Sequence, residues 1–396
     1  MSRILPFLAV LLAVAFFTRV DFFFYLLYSL FGIYFLGRLW ASRSVAAVTV
    51  ERKHEPRMFF GQSAIVRLEV HNRGRLPVLW LRLSDTVPFD LIGGPAFRQV
   101  LSLRPGERQH YEYRLLGRRR GYYSLGPLLS QGGDLLGTAA YERQAGADDS
   151  VIVYPRIVPL HDLGLPSQSP FGVLPSKQRL FEDPARIRGV RDYQPGDSLR
   201  RLDWKTSARM GRLQVRRYEP AIALETAIFL NLAAGEYPQA HRHTATELGI
   251  VASASLAVHL VEQRQAVALA TNGRDPLGSA PPGPGTTAAL PLRKGREHLM
   301  HILDLLARVE LAPEAEAAVP FLELLNRRSL ALPWGSTVVA VTSQEVEGLL
   351  ETLLVLRRRG LRILLVLTCP SRGFDSTARR ADQIGVQTVR LWTALA

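Results

Sequence analysis

Apolar positions change their spacing twice along this chain, and each change marks a different kind of element. Residues 4–17 are apolar throughout, and residues 22–36 are apolar or aromatic apart from Ser29 and Gly32. From about residue 45 the spacing drops to two. Ala64, Val66, Leu68 and Val70 alternate with Ile65, Arg67, Glu69 and His71. Leu79, Leu81 and Leu83 alternate with Trp80, Arg82 and Ser84, and Tyr111, Tyr113 and Leu115 with His110, Glu112 and Arg114. One polar face in two predicts half-buried antiparallel strands. Turn signals at Asn72-Arg73-Gly74, Gly93-Gly94-Pro95 and Pro105-Gly106-Glu107 separate them. About seven strands over residues 45–157 fit an immunoglobulin-like β-sandwich.

Past residue 222 short apolar runs alternate with helical stripes. Residues 226–232, 265–270, 337–341, 362–368 and 386–391 read as strands. Residues 297–309, 344–359 and 377–384 read as helices, the second closed by Gly360. Thr244-Ala245-Thr246-Glu247 has the spacing of a capping box. It opens a helix with Leu248, Val251, Ala252, Leu256 and Leu260 on one face. Residues 272–295 are Pro/Gly-rich and read as a loop. Alternation of this kind predicts a doubly wound, mostly parallel sheet, whose sites form at the carboxyl ends of its strands.

The two opening runs are separated by Thr18-Arg19-Val20-Asp21. One long span would bury Arg19 and Asp21 at the bilayer centre, at roughly 2.5–3.5 kcal/mol each. Two short helices put both in the interface. Each run is about 21–23 Å long at ~1.5 Å per residue, short of a hydrocarbon core of ~30 Å. Local thinning, or snorkelling of Arg3, Arg19 and Arg38, closes the gap. A signal peptide would carry a small-residue cleavage site, and here a second apolar run follows instead. Arg3, Arg38, Arg43, Arg52 and Lys53 flank the hairpin on one side, which predicts both ends and the soluble part on the cytoplasmic face.

Net charge is +14, and only Lys53, Lys177, Lys205 and Lys294 among the 49 basic residues are lysine. A membrane surface accounts for that balance. The scarcity of lysine and the lack of a nucleic-acid motif argue against a nucleic-acid partner. Cys369 is the single cysteine, so no intramolecular disulfide forms, and its apolar neighbours predict a buried strand end.

One segment escapes both periods. Residues 189–213 read GVRDYQPGDSLRRLDWKTSARMGRL, and residues 158–188 before it are rich in Pro, Ser and Gly. Arg191, Arg200, Arg201 and Lys205 lie among Asp192, Asp197 and Asp203, with Tyr193 and Trp204 interleaved around a Pro195-Gly196-Asp197 turn. Arg–carboxylate forks are directional and suit a clamp between domains. The same residues also suit a partner-docking surface, or an anion or phosphate site in which the carboxylates serve as acid and base. His241-Arg242-His243 with Glu247 reads as a surface helix start. No P-loop, nucleophile elbow or His-Glu-x-x-His occurs, and no nucleophile–base pair is evident.

The segment Arg191-Asp192-Tyr193-Gln194-Pro195-Gly196-Asp197, then Arg200-Arg201-Leu202-Asp203-Trp204-Lys205, resembles the signature of the bacterial domain-of-unknown-function family 58. Arg119-Arg120-Gly121 with Gly126-Pro127 and the order of parts resemble it too. The resemblance implies a multidomain fold. Its parts are a transmembrane helical hairpin (1–40), an immunoglobulin-like β-sandwich (45–157), a linker with the signature (158–221), and an α/β von Willebrand factor A-like, Rossmann-type domain (222–396). It also implies a membrane-anchored scaffold or adaptor at the inner membrane. Such a protein would work with a MoxR-type AAA+ ATPase on a client envelope protein. An enzyme handling phosphate through the Asp/Arg cluster is the alternative. A von Willebrand A-type metal site would need Asp-x-Ser-x-Ser after the first strand; the matching positions are Asn231, Ala233 and Gly235, followed later by Thr342 and Ser343 without an Asp. No metal and no cofactor are therefore expected.

Overall fold

The computed structural model describes residues 4–18, 20–133, 140–146, 149–165, 182–194, 197–199, 202–220, 225–278, 287–313, 319–343, 346–370 and 374–391. Two compact units form, Met1–Arg156 with Leu303–Arg308, and Ile157–Ile302 with Val309–Ala396.

The first unit opens with two packed helices, α1 (Ile4–Thr18) and α2 (Asp21–Ala46). On α1 the buried positions are Leu8, Leu11 and Ala15, a stripe of helical spacing, while Phe7, Val10, Leu12, Phe16 and Phe17 stay exposed. The second helix is longer than its apolar run. It passes Arg38 and Arg43 because Ala41, Ser44 and Val45 still make one buried face. At ~1.5 Å per residue α2 is about 39 Å long, enough to cross a ~30 Å hydrocarbon core on its own. By length and composition it can cross a membrane.

Beyond Ala47 come β1 (Val48–Lys53), β2 (Arg57–Phe59), β3 (Ser63–Asn72), β4 (Val78–Asp85), β5 (Arg98–Leu103), β6 (Arg108–Leu116), β7 (Gly121–Leu125), β8 (Leu128–Gly133), β9 (Ala140–Gln144) and β10 (Asp149–Tyr154). They form sheets of order β1-β3-β6, β5-β4-β8-β9 and β2-β10-β7, antiparallel except for β2 with β10. More strands form than the seven expected, because β2, β7 and β9 are too short to display a period. Ala64, Val66, Leu68 and Val70 point into a core shared by the sheets. One expectation fails on β4. Its register against β5 shifts between Val78 and Leu81, so Val78 turns inward and Leu79 outward.

The end of α2 joins the same core through Val45. Trp40 Nε1 donates to the Pro77 carbonyl at 3.1 Å, and Arg143 Nη1 to that of Ala46 at 3.0 Å. A side chain at Gly132 would meet Val45 at 2.5 Å, so glycine is what lets the helix sit this close to β8. Arg120, from the Arg-Arg-Gly element, donates to the Leu306 and Ala307 carbonyls at 2.8 and 3.1 Å. These are terminal carbonyls of a helical turn, which have no acceptance within the helix.

The second unit begins in a segment whose Pro, Ser and Gly content fits an extended linker or a wrapping segment. Its first residues wrap, with Val158, Leu160, Leu163 and Leu165 buried and Val158 N donating to Ser255 Oγ at 3.0 Å. The signature folds as strand β11 (Glu182–Asp192), helix α3 (Trp204–Met210) and strand β12 (Gln214–Pro220), with β11 and β12 paired antiparallel. Next come β13 (Glu225–Leu230), α4 (Arg242–Glu262), β14 (Ala266–Thr271), β15 (Ala288–Arg293), α5 (Arg296–Arg308, of which Leu303–Arg308 belong to the first unit), α6 (Phe321–Ser329), β16 (Thr337–Thr342), α7 (Leu349–Arg358), β17 (Arg362–Leu367), α8 (Phe374–Gln383) and β18 (Gln387–Arg390). The sheet runs β15-β14-β13-β16-β17-β18, parallel except for the edge strand β15. That edge strand falls inside the expected loop of residues 272–295.

Helix α4 also has the length and apolar content of a membrane span, yet 72 % of its apolar window is buried inside this unit. At Gly249 its backbone comes so near the sheet that a Cβ would meet Leu230 at 3.2 Å and Val341 at 3.3 Å. The expected capping box is absent. The helix starts at Arg242 with His241 as its N-cap, and no side chain caps it. Thr246 Oγ1 turns back to the Arg242 carbonyl at 2.9 Å instead.

Candidate functional site

Two clusters of polar side chains stand out in the second unit, and they are built differently. The first is the signature. Asp192 pairs with Gln214 across the β11–β12 ladder, and Tyr193 N extends it to the Leu213 carbonyl at 2.9 Å. Beyond that point the chain leaves the ladder in a turn and returns through α3. Arg191 lays both terminal nitrogens on Asp197, each at 2.6 Å, and Gln194 N donates to the same carboxylate at 3.0 Å. This is a planar two-point fork, and with the Gln194 amide it holds the turn shut.

Asp203 begins α3. Its carboxylate accepts from Thr206 N at 3.0 Å and Arg216 Nε at 3.2 Å. The Thr206 amide, and then Arg216, hold Asp203 below the usual carboxylate range. Ser207 Oγ ties the helix to β12 by accepting from Gln214 N at 2.8 Å. Gly211 ends the helix in the left-handed conformation, φ 65°, which costs a glycine nothing sterically. Asp192 is held by Arg212 Nη1 at 3.1 Å and by the Gln214 amide.

All three aspartates of the signature are thus bonded within it. Of the candidate contacts, Arg191, Asp192, Asp197 and Asp203 make local bonds, and Tyr193 is half-buried. Trp204 and Lys205 face solvent, Trp204 with 68 % of its surface exposed. Arg200 and Arg201, with Pro195 and Gly196, lie outside the described residues.

The second cluster caps the carboxyl ends of β13, β14 and β16, where the strand order reverses direction. Asn231 is its hub. Its Nδ2 donates to Glu236 Oε2 at 2.7 Å and Thr342 Oγ1 at 2.8 Å. Its Oδ1 accepts from Ala233 N and Asn272 Nδ2, both at 3.1 Å. The Asn231 carbonyl accepts from Tyr237 Oη at 2.9 Å. Glu236 Oε1 accepts from Phe321 N at 3.1 Å, and Ser343 Oγ donates to the Glu236 carbonyl at 2.5 Å. Burial pushes the Tyr237 phenol up, so it stays a donor. Ala233 is buried and Gly235 is exposed; neither brings a side-chain oxygen.

A divalent cation needs converging oxygen lone pairs. Here the amide hydrogens of Asn231 point at the oxygens that would serve as ligands. The residues do not fit the metal. Among the described residues no group of three His, Cys, Asp or Glu side chains comes together to hold one. Glu236, Tyr237 and Asn272 were not foreseen. Glu236 and Tyr237 follow β13 in the same loop as Asn231, Asn272 arrives from the end of β14, and no motif spacing announces them.

A third cluster, in the first unit, was also missed. Arg52 on β1 reaches Asp85 through Nη2 at 2.7 Å and Nε at 3.1 Å, and Asp149 through Nη1 at 3.0 Å. Tyr113 Oη donates to Asp85 at 2.6 Å. Burial works against the Arg52 charge; Asp85 and Asp149 outweigh it, and the guanidinium titrates above its ordinary value. Burial and the bond to Asp85 push the Tyr113 phenol up.

Residues 189–365, which start in the signature and end within β17, match the family described as Protein of unknown function DUF58. This region belongs to the DUF58 family. A Bacillus subtilis relative named Uncharacterized protein YeaD is 23 % identical over 281 residues, 69 % of this chain. The chain spans 65 % of that relative's length. Among solved structures, the CARDB domain of a Pyrococcus furiosus protein matches 27 % of this chain and 94 % of its own, at 17 % identity and a TM-score of 0.20. A carboxyl-terminal portion of Escherichia coli alpha-2-macroglobulin matches 28 % of this chain and 17 % of its own, at 19 % identity and a TM-score of 0.24. The DUF58 region thus takes in both the signature and the strand-end cluster, and excludes the Arg52 network.

Proposed function

We propose that the chain is a membrane-anchored adaptor whose DUF58 region docks a protein partner on the cytoplasmic side of the inner membrane. The observation that carries this reading is the division of labour in the signature. Its aspartates are consumed in holding the hairpin together, while Trp204 and Lys205 are left facing solvent. Groups arranged for catalysis would keep a carboxylate available; groups arranged for recognition keep an aromatic and a cation available. Helix α2 would supply the anchor, and the arginines that flank the apolar helices support a cytoplasmic location for the soluble units. The sheet order, with its antiparallel edge strand, supports a von Willebrand factor A-like domain. The resemblance points to a MoxR-type AAA+ ATPase as partner and to an envelope protein as client.

Affinity recovery of the full chain from detergent-solubilised bacterial membranes tests the reading. Co-recovery of an AAA+ ATPase is the expected result, and its absence from repeated recoveries sinks the adaptor. Protease added to sealed spheroplasts is expected to leave both soluble units intact; digestion from outside reverses the orientation. The competing enzyme reading needs a free carboxylate at Asp197, where both oxygens already hold Arg191.

A further inference from the structure

The adaptor reading leaves open what chemistry the partner brings, and α3 narrows it. Ser207 is the buried residue of this helix, tied to β12. At about 100° per residue, Lys205 and Arg209 fall on the side opposite Ser207 and Trp204 and Ala208 on the flank between, with Trp204 over Ala208 and Lys205 over Arg209 at i, i+4 spacing. All four are exposed. The strip is therefore one indole, one methyl and two cations. The aspartates around it, Asp192, Asp197 and Asp203, are each held by an arginine of the hairpin itself. No described carboxylate pairs with Lys205 or Arg209, in contrast to Arg191, Arg212 and Arg216.

We infer that this strip of α3 is the docking epitope and that its occupant is an acidic, partly apolar segment of a partner protein, with carboxylates for Lys205 and Arg209 and an apolar seat for Trp204. The inference rests on the adaptor reading and goes beyond it by naming the chemistry. A second copy of this chain is a poor occupant: the same face would bring two more cations, and the chain as a whole carries +14. Tryptophan and arginine are the side chains that contribute most at protein interfaces when their surroundings exclude water. Charge complementarity of this kind also speeds encounter and makes it salt-sensitive.

The test places a photo-crosslinking amino acid at Ala208, between the two pairs, in the full chain in its own membranes. Adduct peptides are sequenced by mass spectrometry. The expected result is a protein adduct whose flanking sequence carries net negative charge and apolar residues. Its yield should fall at least tenfold in K205E/R209E and in Trp204→Ala, with melting of the chain unchanged. A lipid adduct, an adduct to this chain itself, a basic or neutral partner segment, no adduct, or a yield indifferent to charge reversal overturns the inference. The two readings separate cleanly. An acidic adduct from a protein other than an AAA+ ATPase keeps the epitope and removes the ATPase. Recovery of the ATPase by K205E/R209E at the wild-type level keeps the adaptor and removes the epitope.

Discussion

Arg52–Asp85 in the first unit and Arg191–Asp197 in the second make the same two-point fork at different depths. The side chains of the first pair are 2 % and 0 % exposed, those of the second 32 % and 19 %. Depth changes what the fork is for. In the core the charges have lost water and survive only because Asp149, the Leu125 carbonyl and Tyr113 complete the set. Near the surface water does much of that work, and the fork shapes one turn. The first fork holds the unit together; the second shapes a small surface and leaves its neighbours free to meet something else.

The strongest way to break this contrast is Asp85→Ala. It leaves the Arg52 charge buried beside a single carboxylate, and about 3–5 kcal/mol of stability should be lost. Denaturant unfolding in detergent reads it; a loss under ~1 kcal/mol would mean that the pair is wet. Tyr113→Phe removes one donor to a buried carboxylate and should cost about 1.5–3 kcal/mol in the same assay. Arg191→Ala should cost no more than about 1 kcal/mol, as for partly exposed pairs. A cost equal to that of Asp85→Ala would erase the distinction.

The smallest effect concerns pH. The folded state holds Asp203 below its ordinary value. Its ionised form therefore stabilises the fold above the unfolded-state carboxylate value, and the contribution fades as pH falls through the lowered folded value. Asp203→Asn should melt below wild type at neutral pH and converge with it in acid. A gap unchanged down to about pH 2 would separate Asp203 from the titration.

How much of this was legible in the chain depends on the distance between the residues that cooperate. The alternation from Ala64 to Val70 declares a strand with one buried face, and the continuous apolar run containing Phe229 a strand buried on both. Strand β15 was missed because its apolar content is short and not periodic, and helix α6 because it is only nine residues long, although Phe321, Leu324 and Leu325 keep helical spacing. The signature was picked out by composition, and its aspartates were candidates both for a clamp and for partner contact; each of the three is bonded within the hairpin. A local signal for this existed. Asp203 sits three residues before Thr206, and Gly211 closes the helix, which is how a short capped helix is spelled. Arg52 gave no signal at all. Beside Lys53 it reads as a solvated strand end, and only Asp85 and Asp149, brought in from other strands, make it a core residue. Asn231 drew notice as a lost metal ligand. Its role as a hydrogen-bond hub emerges only when Asn272 and Thr342 arrive beside it.

One junction has mechanical consequences. A single residue, Ala47, separates α2 from β1, and Trp40, Val45 and Ala46 are all fastened to the β-rich unit. No swivel exists there. The helix works as a mast stepped into its hull: tilt or twist applied along α2 reaches the strands as torque rather than being spent in a slack tether. Any change in the tilt of α2 is therefore also a change in the bearing of the β-rich unit.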